Sequence, residues 1–252
     1  MKKFVTYLSI VLLTIFVTGC ASSKRSQEDM PSISDNVLYK QAMNELDQGN
    51  FDAAAKDFMK LTTEFAYSSH ASSAQYYEAV AKFKNNDFDG AEAAAYDYIS
   101  LHPTGEFVEE AYYLRATCSF KQILPVGLNQ ENTLKAQESF IELINRFPNS
   151  KYTQDAKNKI SFLNNHLAGQ EMEVANYYMK KNNFTAAIRR YTNLLENNQE
   201  SLYTEEVLYR LVEAYKNLKL DNEAKKYAAI LGKNYPESKW YQKSYNLILK
   251  SN

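Results

Sequence analysis

Apolar residues recur along this chain at a helical pitch, and no stretch sustains the alternation of a half-buried strand. An alanine that begins a helix after a turn returns as Ala54, Ala91, Ala136, Ala187 and Ala224, at intervals of 37, 45, 51 and 37 residues. Four positions after each stand Phe58, Ala95, Phe140, Tyr191 and Ala228, and seven after stand Leu61, Tyr98, Leu143, Leu194 and Leu231. Twelve after come Ala66, Pro103, Pro148, Gln199 and Pro236. Twelve before the first, second and fourth alanines are Ala42, Ala79 and Ala175. Alanine at a helix crossing lets two backbones close to packing distance, an aromatic one turn on fills the adjacent hole, and proline stops the second helix.

This spacing resembles the tetratricopeptide repeat, a helix-turn-helix of about 34 residues. One such pair cannot bury its apolar face alone, so the chain is expected to be all-α, a solenoid of five stacked helix pairs. Turns within pairs are expected at Gly49-Asn50, Asn85-Asn86-Asp87, Asn182-Asn183 and Asp221-Asn222. The two longer intervals mark departures from simple stacking. Gln122–Asn132, with Pro125 and Gly127, is expected to be a loop inside the third pair. Lys151–Leu167 is expected to be an extra linking helix, with Ser150 as N-cap and Asp155 in its first turn. After Pro236, the run Lys239–Lys250 is expected to cap the solenoid. The division is then 35–150 for pairs one to three and 151–252 for the linking helix, pairs four and five and the cap.

The first 34 residues have another character. Met1-Lys2-Lys3 is a positive start and Phe4–Val17 an apolar run too short for a confident membrane span, which reads as a signal peptide over 1–19. Val17-Thr18-Gly19-Cys20 resembles a bacterial lipobox, whose cysteine thiol carries a diacylglyceryl thioether. Cys20 is therefore the expected lipidation site, and several acyl chains would anchor the protein stably. Residues 20–34, rich in serine, are expected to form a polar tether. Ala21 after the cysteine, without an acidic cluster, fits an outer-membrane anchor with the folded part facing the periplasm.

With 45% apolar and 23% charged residues, 7 Gly and 5 Pro, the chain belongs with folded helical proteins. Without Lys2 and Lys3 there are 27 basic and 30 acidic residues, which suggests no nucleic-acid partner. Cys118 is left alone and reads as a small core residue. His70, His102 and His166 lie far apart, without metal-ligand spacing. Glu109-Glu110 and Glu205-Glu206 each open a helix, where negative charge favours the dipole, and neighbours at i and i+1 point to different faces. No catalytic, cofactor or metal site is expected, and the chain reads as a non-enzyme.

Function then lies on surfaces, and in the repeat fold the first helix of each pair lines the concave face. Those positions hold Tyr39, Met43 and Leu46 in the first copy and Tyr76, Val80 and Phe83 in the second, which makes them a candidate groove for an extended apolar-aromatic peptide. The alternative is that Tyr39 and Tyr76 pack between repeats. The matching positions of copies four and five, Met172, Asn176, Met179 and Lys180, then Tyr209, Glu213 and Lys216, are more polar and would dock a folded partner.

The lipobox, the five repeats, Asp47-Gln48-Gly49-Asn50-Phe51, Phe147-Pro148-Asn149-Ser150 and the stretch Leu163–Arg190 occur in an order that resembles the BamD/ComL family over roughly Asp35–Tyr241. That resemblance implies a lipid-anchored, periplasm-facing subunit of the machinery that assembles outer-membrane β-barrels. Its implied partners are the periplasmic domains of the barrel-forming subunit, unfolded outer-membrane proteins recognised by their C-terminal signal, and other lipoprotein subunits. It also implies that Arg190, preceded by Arg189, faces the barrel-forming subunit. Competing readings are another envelope scaffold lipoprotein, for cell-wall coordination or as a secretin pilot, and a glycan-binding lipoprotein.

Overall fold

A computed structural model describes residues 34–197 and 201–249, and eleven helices with no strand run through these residues. Five antiparallel pairs follow one another: α1 (Asp35–Gln48) with α2 (Phe51–Glu64), α3 (Ala71–Lys84) with α4 (Phe88–Leu101), α5 (Val108–Lys121) with α6 (Glu131–Arg146), α7 (Thr153–Lys180) with α8 (Phe184–Asn197), and α9 (Thr204–Asn217) with α10 (Asp221–Asn234). The shorter α11 (Lys239–Leu249) packs on α9 and α10. This is the tetratricopeptide-repeat solenoid with its terminal cap. The signal peptide, Cys20, the tether as far as residue 33, and Gln199 lie outside the described residues.

The alanine register forms the core. Ala54, Ala91, Ala136, Ala187 and Ala224 are fully buried, as are Ala42, Ala79 and Ala175 on the facing helices. Phe58, Phe140 and Tyr191 fill the adjacent holes at 0% exposure, and Leu61, Tyr98, Leu143, Leu194 and Leu231 complete the layer. The prolines act as expected: α4, α6 and α10 end two residues before Pro103, Pro148 and Pro236, where His102, Phe147 and Tyr235 have left helical geometry.

Within pairs, the first helix closes on a left-handed residue: Gly49 (φ 83°), Asn86 (62°), Asn182 (57°) and Lys219 (59°). The next N–H reaches back five residues, as Asn50 does to the Glu45 carbonyl (2.9 Å) and Leu220 to that of Tyr215 (2.9 Å), so that the last carbonyls are satisfied. In the fifth pair the turn therefore lies at Lys219, and Asp221-Asn222, expected as the turn, already begins α10.

The third pair has the expected loop instead. The buried amide of Gln130 donates to the carbonyls of Pro125 (3.1 Å), Val126 (3.2 Å) and Leu128 (3.0 Å), which holds the loop closed. The expected separate linking helix does not end at Leu167. It continues through Ala168 and Gly169 into the first helix of the fourth pair, as the 28-residue α7. Gly169 is a contact point. A Cβ there would lie 3.0 Å from the Tyr203 hydroxyl and 3.2 Å from a Val126 methyl, so glycine lets α9's leading turn and the third-pair loop seat on α7 without displacing either side chain. Ser150 is not the N-cap either; Tyr152 is, and the Ser150 hydroxyl accepts from the Tyr152 N–H (3.3 Å) in the preceding turn.

Candidate partner-binding surfaces

The first helices of pairs one and two carry the groove candidates, and the structure shows what each side chain touches. Leu46 is buried at 8% exposure in the first core cluster, while Tyr39, Met43, Val80 and Phe83 are half-buried. Tyr39 stacks on His70 at 4.4 Å and meets Phe58 edge-on. Tyr76 stacks on Phe107 at 4.6 Å and meets Tyr77 and Tyr98 edge-on. Burial pushes the Tyr76 hydroxyl's pKa far above its ordinary value. One face of each ring is thus taken by a residue that introduces the next helix pair, and the Tyr76 hydroxyl is desolvated.

These stacks belong to a series that the alanine register does not reveal. Tyr113 stacks on Tyr152 at 4.3 Å, and Tyr209 lies against Trp240 at 5.2 Å. Met172 takes the equivalent place in the fourth pair, in one cluster with Tyr203. The second partner each time stands where one pair gives way to the next helix. Four of these turns read Ser-x-aromatic, and the serine hydroxyl accepts from the aromatic's own N–H: Ser68 with His70 (3.0 Å), Ser150 with Tyr152 (3.3 Å), Ser201 with Tyr203 (3.2 Å) and Ser238 with Trp240 (3.1 Å). In the remaining turn Gly105 replaces serine and the Tyr98 hydroxyl takes over, accepting from Phe107 N–H at 3.1 Å. A Cβ on Gly105 would lie 2.6 Å from that hydroxyl, so a serine has no room. The signal was present in sequence as Ser-x-His/Tyr/Trp at 68, 150, 201 and 238.

At the fourth pair, Arg189 is exposed, whereas Arg190 is half-buried and reaches across to α7. Its Nη1 donates to both carboxylate oxygens of Glu171, at 3.3 and 3.1 Å. Its Nε is buried and has no partner among the described residues. Nearby, the Tyr191 hydroxyl donates to Asn176 Oδ1 (2.7 Å) and Met172 is buried at 4%. Lys180 is exposed, Met179 half-buried, and Glu213 pairs with Arg210 at 3.0 Å, so this end of the face is charged and hydrogen-bonded.

The other polar groups have structural partners. His102 Nε2 lies 2.6 Å from Gln75 Oε1 and His166 Nε2 2.8 Å from the Leu124 carbonyl. Glu109 and Glu110 open α5, and Glu205 and Glu206 open α9; Glu110 pairs with Lys151 (2.9 Å) and Glu206 with Arg210 (3.0 Å). Cys118 is fully buried, and burial pushes its thiol up to about 12. Among the described residues no three His, Cys, Asp or Glu side chains are grouped to hold a metal, and no helix is long and apolar enough to cross a membrane.

Comparison with known proteins gives the family of the chain that carries these surfaces. Residues 31–231 match the model of the family YfiO, described as outer membrane lipoprotein. The chain is 35% identical over 240 residues to the outer membrane protein assembly factor BamD of Rickettsia prowazekii, covering 95% of each. It is 34% identical to the factor of that name from Caulobacter vibrioides, covering 96% of this chain and 79% of the other, and 33% identical to that of Neisseria gonorrhoeae, covering 94% and 93%. Among solved structures it is similar to the MamA protein, with TM-score 0.41 and 14% identity over 79% of this chain and 90% of that one. The half-buried tyrosines of pairs one and two and the Arg190–Glu171 junction therefore sit in a chain that belongs to the YfiO family of outer membrane lipoproteins.

Proposed function

We propose that this chain is a non-enzymatic lipoprotein subunit of the outer-membrane β-barrel assembly machinery. The observation that carries the reading is the match, end to end, to an outer membrane protein assembly factor across 95% of both chains. These relatives do not favour the scaffold, wall-coordination, secretin-pilot and glycan-binding alternatives.

In finer detail, Cys20 anchors the chain by lipid and the solenoid faces the periplasm. Pairs one and two bind unfolded barrel precursors through the half-buried side chains of Tyr39, Met43, Tyr76, Val80 and Phe83. The fourth pair meets the periplasmic domains of the barrel-forming subunit, with exposed Arg189 as a direct contact and Arg190 held by Glu171 beside it. The exposed guanidinium of Arg189 favours a partner carboxylate or carbonyl there. Other lipoprotein subunits join the complex.

Affinity purification of the tagged, full-length lipoprotein from gently solubilised envelopes tests the role. A large outer-membrane barrel with repeated periplasmic domains should co-purify stoichiometrically, and Arg189→Glu with Arg190→Glu should remove it while far-UV helicity persists. Recovery of wall enzymes or glycan transporters in its place would overturn the reading.

A further inference from the structure

The C-terminal end of the solenoid is built as the start of a sixth pair. α11 is introduced by the same Ser-x-aromatic turn that introduces α3, α7 and α9, and Trp240 lies on Tyr209 as His70, Phe107 and Tyr152 lie on the tyrosines before them. In each of the five pairs a second helix packs back on the first, and among the described residues α11 is the last helix.

The surface such a helix would cover is open. In three other copies the position four after the register alanine holds a buried Phe58, Phe140 or Tyr191, and in the second copy the core closes over Ala95 with Leu114 and Cys118. The fifth copy has Ala228, only half-buried, on the wall of a cleft of about 270 Å³ between α10 and α11. Ala229 and Gly232 continue the α10 wall, Tyr241 and Tyr245 form the α11 wall, and Lys225 stands at the rim. Tyr245 and Leu249 are each about half exposed, which extends the apolar lane along α11. Small residues on one wall and rings on the other make a groove that admits a helix at close packing distance.

Charge points to the occupant. Residues 216–252 carry eight lysines against three acidic residues, whereas residues 1–215 carry 21 basic and 27 acidic residues. Lys225, Lys226, Lys233, Lys239 and Lys243 are exposed around this end. Among the described residues none of these five is within ion-pair distance of a carboxylate; Lys239 and Lys243 lie over the Trp240 ring at 5.1 and 4.2 Å. We propose that the α10–α11 cleft receives an acidic amphipathic helix of a partner protein, which inserts a large apolar side chain over Ala228 and takes the place of the second helix of a sixth pair. The lysines pair with its acidic flanks and steer its approach. This docking is independent of the role assigned to Arg189 and Arg190.

Two peptides copied from the chain's own second helices serve as probes: Phe88–Leu101, with three acidic and no basic residues, and Phe184–Asn197, with two arginines and one glutamate. Full-length protein in detergent micelles should bind dye-labelled Phe88–Leu101 saturably by fluorescence anisotropy, at least tenfold more tightly than Phe184–Asn197, with the peptide gaining helicity. Ala228→Phe, which gives the fifth copy the ring other copies carry, should cut binding at least tenfold without lowering the thermal midpoint. Tyr245→Glu, at a half-exposed position, should do the same with helicity unchanged. Equal binding of both peptides, or binding untouched by either variant, overturns the proposal. So does dimerisation that Ala228→Phe abolishes, or adsorption to anionic phospholipid vesicles without peptide binding.

Discussion

Lys219 shows how a single residue can carry a cost that its fold requires. Its φ of 59° is needed to turn α9 into α10, and a β-carbon there meets the following carbonyl. Gly49 makes the same turn without that penalty, and Asn86 and Asn182 with less of it. Lys219→Gly is expected to raise stability by up to about 1 kcal/mol, the relieved strain exceeding the entropy glycine adds to the unfolded chain, and a thermal melt against wild type measures it. Cys118 illustrates burial acting on chemistry: with no exposed surface and its thiol pushed up to about 12, it should resist alkylation by iodoacetamide at pH 8 until the chain unfolds. Rapid labelling of native protein would contradict that.

At the scale of elements, the aromatic stacks between pairs give Tyr39, Tyr76, Tyr113, Tyr152 and Tyr209 a packing role. Tyr76, embedded among Tyr77, Tyr98 and Phe107, joins the second pair to the third. Tyr76→Ala is expected to cost about 2–3 kcal/mol, less than a fully buried aromatic truncation, and to cost more than Tyr39→Ala in the first pair, read by urea unfolding. Where α5 crosses α7, Asp155 accepts from Lys159 (2.5 Å) and from the Tyr113 hydroxyl (2.6 Å), and these two bonds, Lys159's first, hold its carboxyl below the usual value of 3.8. A carboxylate depressed in the folded state stabilises above its unfolded pKa and loses that contribution as pH falls through the folded one. The difference in melting temperature between wild type and Asp155→Asn should therefore be full at pH 6–7 and shrink as pH falls below the ordinary carboxylate value of 3.8.

On the scale of the whole solenoid, pairs couple mainly to their neighbours, so α7, shared between the third and fourth pairs, governs whether the two halves melt together. Gly169→Leu would drive a side chain into Tyr203 and Val126 and is expected to cost about 1–3 kcal/mol. Its signature should be a single calorimetric transition splitting into two. A wholly unchanged melt would show that the halves communicate by another route.

Much of this molecule is determined locally and was legible in the residues. The alanine spacing fixes helix crossings because only a methyl group fits there, and the prolines fix helix ends because the preceding residue cannot stay helical; both hold whatever surrounds them. The exclusion of metal and nucleophile chemistry rests likewise on residue spacing. What spacing could not give is which face of a tyrosine is used: Tyr39 and Tyr76 occupy groove register, yet stacking on His70 and Phe107 depends on partners 31 residues away that only the pairing of helices brings close. The role of Gly169 is decided in the same way, since a glycine that stops a helix and one that admits a neighbouring ring are identical in sequence. The Arg190–Glu171 bond and the open cleft beside Ala228 are decided only in three dimensions, because both arise between helices whose contact is set by the packing of the entire stack.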